Sequence, residues 1–141
     1  MALEEFFITP DEDMQRENAL RPQEVLTSVL IPEPAAGTRM AHLRQGEKQG
    51  FDWPLADVAV TLTLHSDGIC RAAAVVLGAA APVPHRAQAA EQVLLGRRID
   101  EVAAREAGAA ALAGATPLSH NAYKLPLFEA LVRRAILAAS A

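Results

Sequence analysis

The sequence is poor in several things, and each shortage closes a class of function. It holds one cysteine, Cys70. No intrachain disulfide can form, and zinc sites built on several cysteines are ruled out. A reducing cytosol is the expected compartment. Aromatic residues make up 4% of the chain although 51% of it is hydrophobic. Alanine supplies much of the difference, so the expected core is packed tightly from small side chains. Positive charge is in the minority, with a net charge of -4. Nothing resembles the basic face that phosphate backbones require, which argues against nucleic-acid binding. Gly78, Gly96 and Gly114 stand alone, and no GxGxxG or Walker loop occurs. The chain therefore lacks the equipment to hold a nucleotide by itself. Apolar runs are short or broken by charge, below the ~20 residues that a bilayer-spanning helix needs. The N-terminus, MALEEFFITPDEDMQREN, is acidic where a signal peptide is basic and apolar. The expectation is a soluble, cytoplasmic protein.

What is present reads as strands first and helices afterwards. A length of 141 residues suits one domain with one core. Residues 1–22 read as an extended lead-in held across a surface by Phe6 and Phe7. Residues 23–80 read as an antiparallel sheet. Val25 to Ile31 is β-branched and apolar and is closed by Pro32 and Pro34, which predicts a first strand. Arg39 to Lys48 alternates loosely and predicts a second. Val58, Val60, Leu62 and Leu64 alternate with Ala59, Thr61 and Thr63, the period of a strand with one buried face. His65 to Gly68, HSDG, is a hairpin turn, and Ile69 to Ala79 is the strand that returns from it. Residues 85–141 read as three helices. Arg86 to Leu95 places Ala90, Val93 and Leu94 on one face, with Gly96 as a stop. Ile99 to Ala113 aligns Ile99, Val102, Ala103 and Ala110. A last helix, capped by Ser119 or Asn121, carries Leu127, Leu131, Ala135 and Ala138 along one side, with Pro126 tolerated in its first turn. The fold class is α+β: an antiparallel three- to four-stranded sheet packed on a three-helix layer.

Few residues suggest chemistry. His42, His65, His85 and His120 lie on separate elements and no pair has metal-ligand spacing. Cys70 begins a strand and reads as a small core residue. The serines lack a glycine elbow. Glu4, Glu5, Asp11, Glu12 and Asp13 read as a solvated tail, and Arg133 and Arg134 suit a helix C-terminus. The junction EKQGFDWPLADVAVTL is richer. Arg44, Lys48 and Asp52 recur every four residues, which on an extended strand puts them on one face. Two cations there can meet an anionic or electron-rich ligand edge, with Asp52 orienting one of them. The same charges also suit a solvated strand edge that deters aggregation, and the local sequence leaves both readings open.

Four stretches together resemble a known family. LEEFFITPDEDMQRENALRPQEVLTSVLIP is similar to the segment that opens the C-terminal domain of the FAD-binding (medium) subunits of molybdenum hydroxylases. These enzymes include CO dehydrogenase, xanthine dehydrogenase and aldehyde oxidase. LRQGEKQGFDWPLADVAVTL resembles that family's basic, basic, Asp signature ahead of an apolar strand. GAAAPVPHRAQAAEQVLLG is similar to its Arg-Ala and Glu-x-x-Leu-x-Gly run. NAYKLPLFEALVRRAILAA resembles its final helix, opened by Tyr and a basic residue. The matches fall in order along essentially the whole chain.

The resemblance implies a sheet packed against three helices and a part in electron transfer. In the family, electrons pass from a molybdenum cofactor through iron–sulfur clusters to FAD. The glycine-rich subdomains that cradle FAD precede this domain and have no counterpart in this sequence. FAD is therefore expected only in an assembled complex, and not on the isolated chain. Arg44 takes the family's first basic position near the isoalloxazine ring, Lys48 the second, and Asp52 the acid. Gln45 to Gly50 would be the loop near the flavin, and Gly46 and Gly50 loosen it. Lys48 in place of the commoner Arg loses a bidentate fork. Phe51 and Trp53 are expected to pack between sheet and helices. The expected partners are the FAD-binding N-terminal domain and the iron–sulfur and molybdenum-cofactor subunits. The alternative is a free-standing, non-enzymatic module that binds a protein or a small ligand with a reused fold. An independent enzyme has no visible nucleophile, metal cluster or cofactor loop to support it.

Overall fold

The computed structural model describes every residue of the chain except Gln49 and Phe51. Four strands, β1 (Thr38–Gln45), β2 (Ala56–Leu64), β3 (Cys70–Gly78) and β4 (His85–Arg86), precede three helices, α1 (Gln88–Leu94), α2 (Glu101–Ala110) and α3 (Lys124–Ser140). The sheet runs β1-β2-β3-β4 with each neighbouring pair antiparallel. The expected α+β layering is what the chain adopts.

β2 sits centrally because its alternation is the cleanest. Ala56, Val58, Val60 and Leu62 are all buried toward the helices. The β2–β3 hairpin turns at Asp67 and Gly68. Gly68 takes a left-handed backbone (φ 82), and the Ile69 N–H donates to Asp67 Oδ1 at 3.0 Å. A register shift at Thr63/Leu64 leaves Arg71 without a partner residue. Such a bulge changes which parity faces inward, so Cys70 is buried along with Val75 and Leu77.

α3 lies across β1 and β2, α1 under β3, and α2 rests on α1 and α3. The core is mainly alanine and branched aliphatics, with Phe128 the one aromatic ring enclosed in it among the described residues. Small residues let the helices approach closely. A Cβ built on Gly108 of α2 would lie 2.9 Å from the Glu129 carbonyl oxygen of α3. Asp100 caps α2, accepting from the Ala103 N–H at 2.8 Å.

The short edge strand β4 is completed by a side chain. After β4 pairs with Val76 and Leu77, the Ala87 N–H donates to the Val75 carbonyl at 2.8 Å. The Val75 N–H then donates to Oε1 of Glu91 in α1 at 3.0 Å. Glu91, itself buried, also receives Arg86 Nε at 2.8 Å and Nη2 at 3.1 Å. This carboxylate stands where a strand carbonyl would be. The bond to Glu91 and its charge hold the Arg86 pKa above its ordinary value.

Several expectations are corrected. Val25 to Ile31 forms no strand; Pro32 and Pro34, which follow it, have no N–H to donate to a ladder, and the run stays exposed. β4 was not expected. Val102 and Ala138 face outward, while the expected Ala103, Leu131 and Ala135 are buried and are joined by Ala104 and Ala107 in α2 and by Phe128 and Val132 in α3. Neither Ser119 nor Asn121 caps α3; Tyr123 occupies that position without a side-chain bond. Backbone turns bond the Lys124 and Leu125 N–H groups instead, at 2.9 and 3.1 Å. Arg133 is no helix-end cation but bonds Glu101 of α2. That bond, with help from Arg105, lowers the Glu101 pKa. The tie is intact above the ordinary glutamate range and is lost as pH falls below it.

Two substitutions test these packing claims. Gly108→Val should force α2 from α3 and lower stability by about 1–3 kcal/mol; an unchanged urea midpoint would refute the close approach. Glu91→Ala should leave the Val75 N–H without an acceptor and cost about 2 kcal/mol, with fast amide exchange at Val75 as the specific sign.

Candidate functional site

The junction between β1 and β2 divides its charged residues among different settings. Thr38 to Gln45 alternates across the sheet: Ala41 and Leu43 pack on the core, so His42 and Arg44 stand on the opposite, open face. Arg44 lies across from Asp57 in the β1–β2 register. His42 Nε2 and Asp57 Oδ1 are 2.6 Å apart. Nothing in the spacing of Arg44, Lys48 and Asp52 marked the His42–Asp57 pair. The signal available was that His42 is two residues from Arg44, and so shares its face.

β1 ends at Gln45, so Lys48 and Asp52 are not on a strand face with Arg44. The Leu55 N–H donates to the Gln45 carbonyl at 2.8 Å, which closes the neck of the loop. The Gln45 side chain donates to the Gly46 carbonyl at 3.0 Å. Asp52 was expected to orient a cation. Its Oδ2 instead accepts from the main-chain N–H of Lys48 at 3.1 Å. It staples the loop and leaves both cations unpaired: among the described residues no carboxylate lies within 4.0 Å of the Arg44 or Lys48 head group. The structure thus joins Lys48 to Asp52 by one bond and closes the loop at Gln45 and Leu55, with Arg44 on the adjoining sheet face.

Trp53 is corrected outright. It is 91% exposed instead of packing between the layers. The matching expectation for Phe51 lies outside the described residues.

Elsewhere the surface is apolar where it would ordinarily be polar. Val25 (79% exposed), Leu26, Val29, Leu30 (94%) and Ile31 (82%) form one extended, uncovered run. Strips of this kind mark interaction surfaces. Just before them, Phe6 and Phe7 stack edge to face at 5.6 Å, and the lead-in folds on itself through Phe6–Ala19 and Ile8–Glu17 backbone bonds.

Among the described residues no group of three or more His, Cys, Asp or Glu could hold a metal ion. Burial pushes the Cys70 thiol pKa up, partly offset by a backbone hydrogen bond with Ala72. The thiol is therefore protonated at neutral pH and a poor nucleophile. No helix is long and apolar enough to cross a membrane among the described residues.

Comparison with known proteins agrees with this architecture. The family model described as CO dehydrogenase flavoprotein C-terminal domain matches residues 41–139. The carbon monoxide dehydrogenase medium chain of Afipia carboxidovorans is 35% identical over 127 residues, covering 87% of this chain and 43% of that one. The structure of reconstituted CO dehydrogenase from Oligotropha carboxidovorans matches at 33% identity and a TM-score of 0.77, over 87% of this chain and 44% of that one. Quinoline 2-oxidoreductase from Pseudomonas putida 86 matches at 32% identity and a TM-score of 0.71, over 78% and 39%. The chain therefore spans less than half the length of these relatives.

One prediction concerns the loop itself. Asp52→Ala should speed exchange of the Lys48 amide roughly five-fold by removing its acceptor. An unchanged rate would show that Asp52 does not hold the loop.

Proposed function

The chain belongs to the CO dehydrogenase flavoprotein C-terminal domain family, and from that premise we propose that it is the C-terminal domain, or a split subunit, of the FAD-binding component of a molybdenum hydroxylase. Its work is to help close a flavin site and to dock the subunits that pass electrons from molybdenum and iron–sulfur centres to FAD. It does no catalysis alone. The observation that carries this reading is the uncovered run Val25–Ile31 in a chain that spans 43% of its relative. A surface so apolar is built to be covered, and the remaining part of such a subunit is the natural cover.

The side chains present fit one end of a flavin only. Arg44 and Lys48 offer cations with no carboxylate partner among the described residues. Gln45 adds an amide, and Asp52 fixes the loop between them through the Lys48 N–H. These groups suit the electron-rich edge of an isoalloxazine ring. No glycine-rich loop exists to hold the phosphates. The flavin supplies redox chemistry when bound, while this chain's residues bind and orient its edge. The partners on this reading are a FAD-binding N-terminal domain and the iron–sulfur and molybdenum-cofactor subunits, assembled in the cytoplasm.

Gentle purification of the tagged chain from its own host tests the assembly. Flavin, iron and molybdenum should co-purify with larger chains; a colourless chain purifying alone would favour the free-standing module. Within the complex, Arg44→Ala should weaken FAD retention about ten-fold, read as flavin per complex after dilution. Unchanged flavin content would remove Arg44 from the site.

A further inference from the structure

A cavity of about 270 Å³ opens between the end of β3, the α2–α3 connection and the first turns of α3. It shares no lining residue with the Arg44–Asp52 junction, and nothing said above about flavin bears on it. Leu77, Leu112, Leu125 and Phe128 give it apolar walls. No aspartate or glutamate lines it, while Lys124 and His85 do.

Lys124 is the informative residue. Its Nζ donates to the Ala79 carbonyl at 2.6 Å and stands 5.7 Å from the centroid of the Phe128 ring. No carboxylate within 4.0 Å neutralises it among the described residues. An ammonium has three donors, so two remain after the bond to Ala79. The backbone at this rim is strained as well: Ala79 is the one non-glycine residue with a left-handed backbone among the described residues (φ 60). Such strain persists where surrounding contacts enforce it, and it gathers at ligand sites. Asn121 lines the same cavity, and its Oδ1 is sealed from solvent with no donor.

We propose that this cavity binds a small monocarboxylic acid with an aromatic or branched aliphatic body. The carboxylate meets Lys124, with His85 beside it, and the body lies against Leu77, Leu112, Leu125 and Phe128. Size agrees: an apolar cavity of about 150 Å³ admits benzene, so the larger space here accepts a ring and a carboxylate. Charge agrees too, because among the described residues the only full charge on the lining is positive.

The test is an amide-resolved NMR titration of the whole chain at neutral pH with benzoate, benzyl alcohol and acetate. Benzoate should shift the Ala79, Asn121, Lys124 and Leu125 amides. Benzyl alcohol, with the same ring and no charge, should bind roughly ten-fold more weakly, and acetate should not saturate. Lys124→Met should bring benzoate down to the affinity of benzyl alcohol, while Lys124→Arg should keep the preference. Should Lys124→Met disturb the fold, Ala115→Phe gives the second readout. Ala115 is an exposed lining residue, and the added ring should block benzoate with the rest of the spectrum unchanged. Equal binding of benzoate and benzyl alcohol, equal shifts from acetate and benzoate, shifts elsewhere on the chain, or no shifts at all would each overturn the proposal.

Discussion

The tie between the two layers at the β4 end of the sheet runs through one buried carboxylate. β4 is only two residues long, and a strand that short cannot satisfy the edge of β3 alone. Glu91 reaches from α1 to take the Val75 N–H and both forks of Arg86. The ion pair therefore does a backbone's job, and it fixes where α1 sits. α2 rests on α1, and α3 meets α2 at Gly108 close enough that even one methyl group would collide with backbone. An alanine-rich interior makes that closeness possible and also necessary, since small side chains fill space only when the elements carrying them come near.

Legibility in the sequence followed the number of long-range contacts each element needs. β2 and β3 could be read because alternation and an Asp-Gly turn are local signals, and their hairpin closes locally. The helices could be read in outline. Ala103, Leu131 and Ala135 fall on the expected faces and are buried, whereas Val102, a bulkier candidate in α2, turns outward and Ala104 and Ala107 pack there. Side-chain size points to a core badly when the core is built of alanine. β4 was invisible because two residues carry no period. Val25–Ile31 misled for the opposite reason. Its composition is that of a strand, but a strand exists only where it pairs, and this run, followed by Pro32 and Pro34, pairs with no strand of the sheet.

The candidate site was legible as a neighbourhood and not as a geometry. The spacing of Arg44, Lys48 and Asp52 suggested one strand face, whereas β1 stops at Gln45 and the remainder is a loop closed by Leu55. Asp52 was read as a partner for a cation and proved to be a partner for an amide. Trp53 is expected between the layers and lies outside them. None of these outcomes is visible from charge and spacing alone, because each depends on where the backbone leaves the sheet.

The run Val25–Ile31 has a consequence for the chain's life in a cell. An extended, uncharged, β-prone strip in full contact with water is the kind of segment that seeds aggregation and attracts chaperones and proteases. Unaccompanied copies would be treated as misfolded even though the sheet and helices behind the strip are fully formed. Covering the strip is then also a licence to persist, and the abundance of this chain would follow that of whatever covers it.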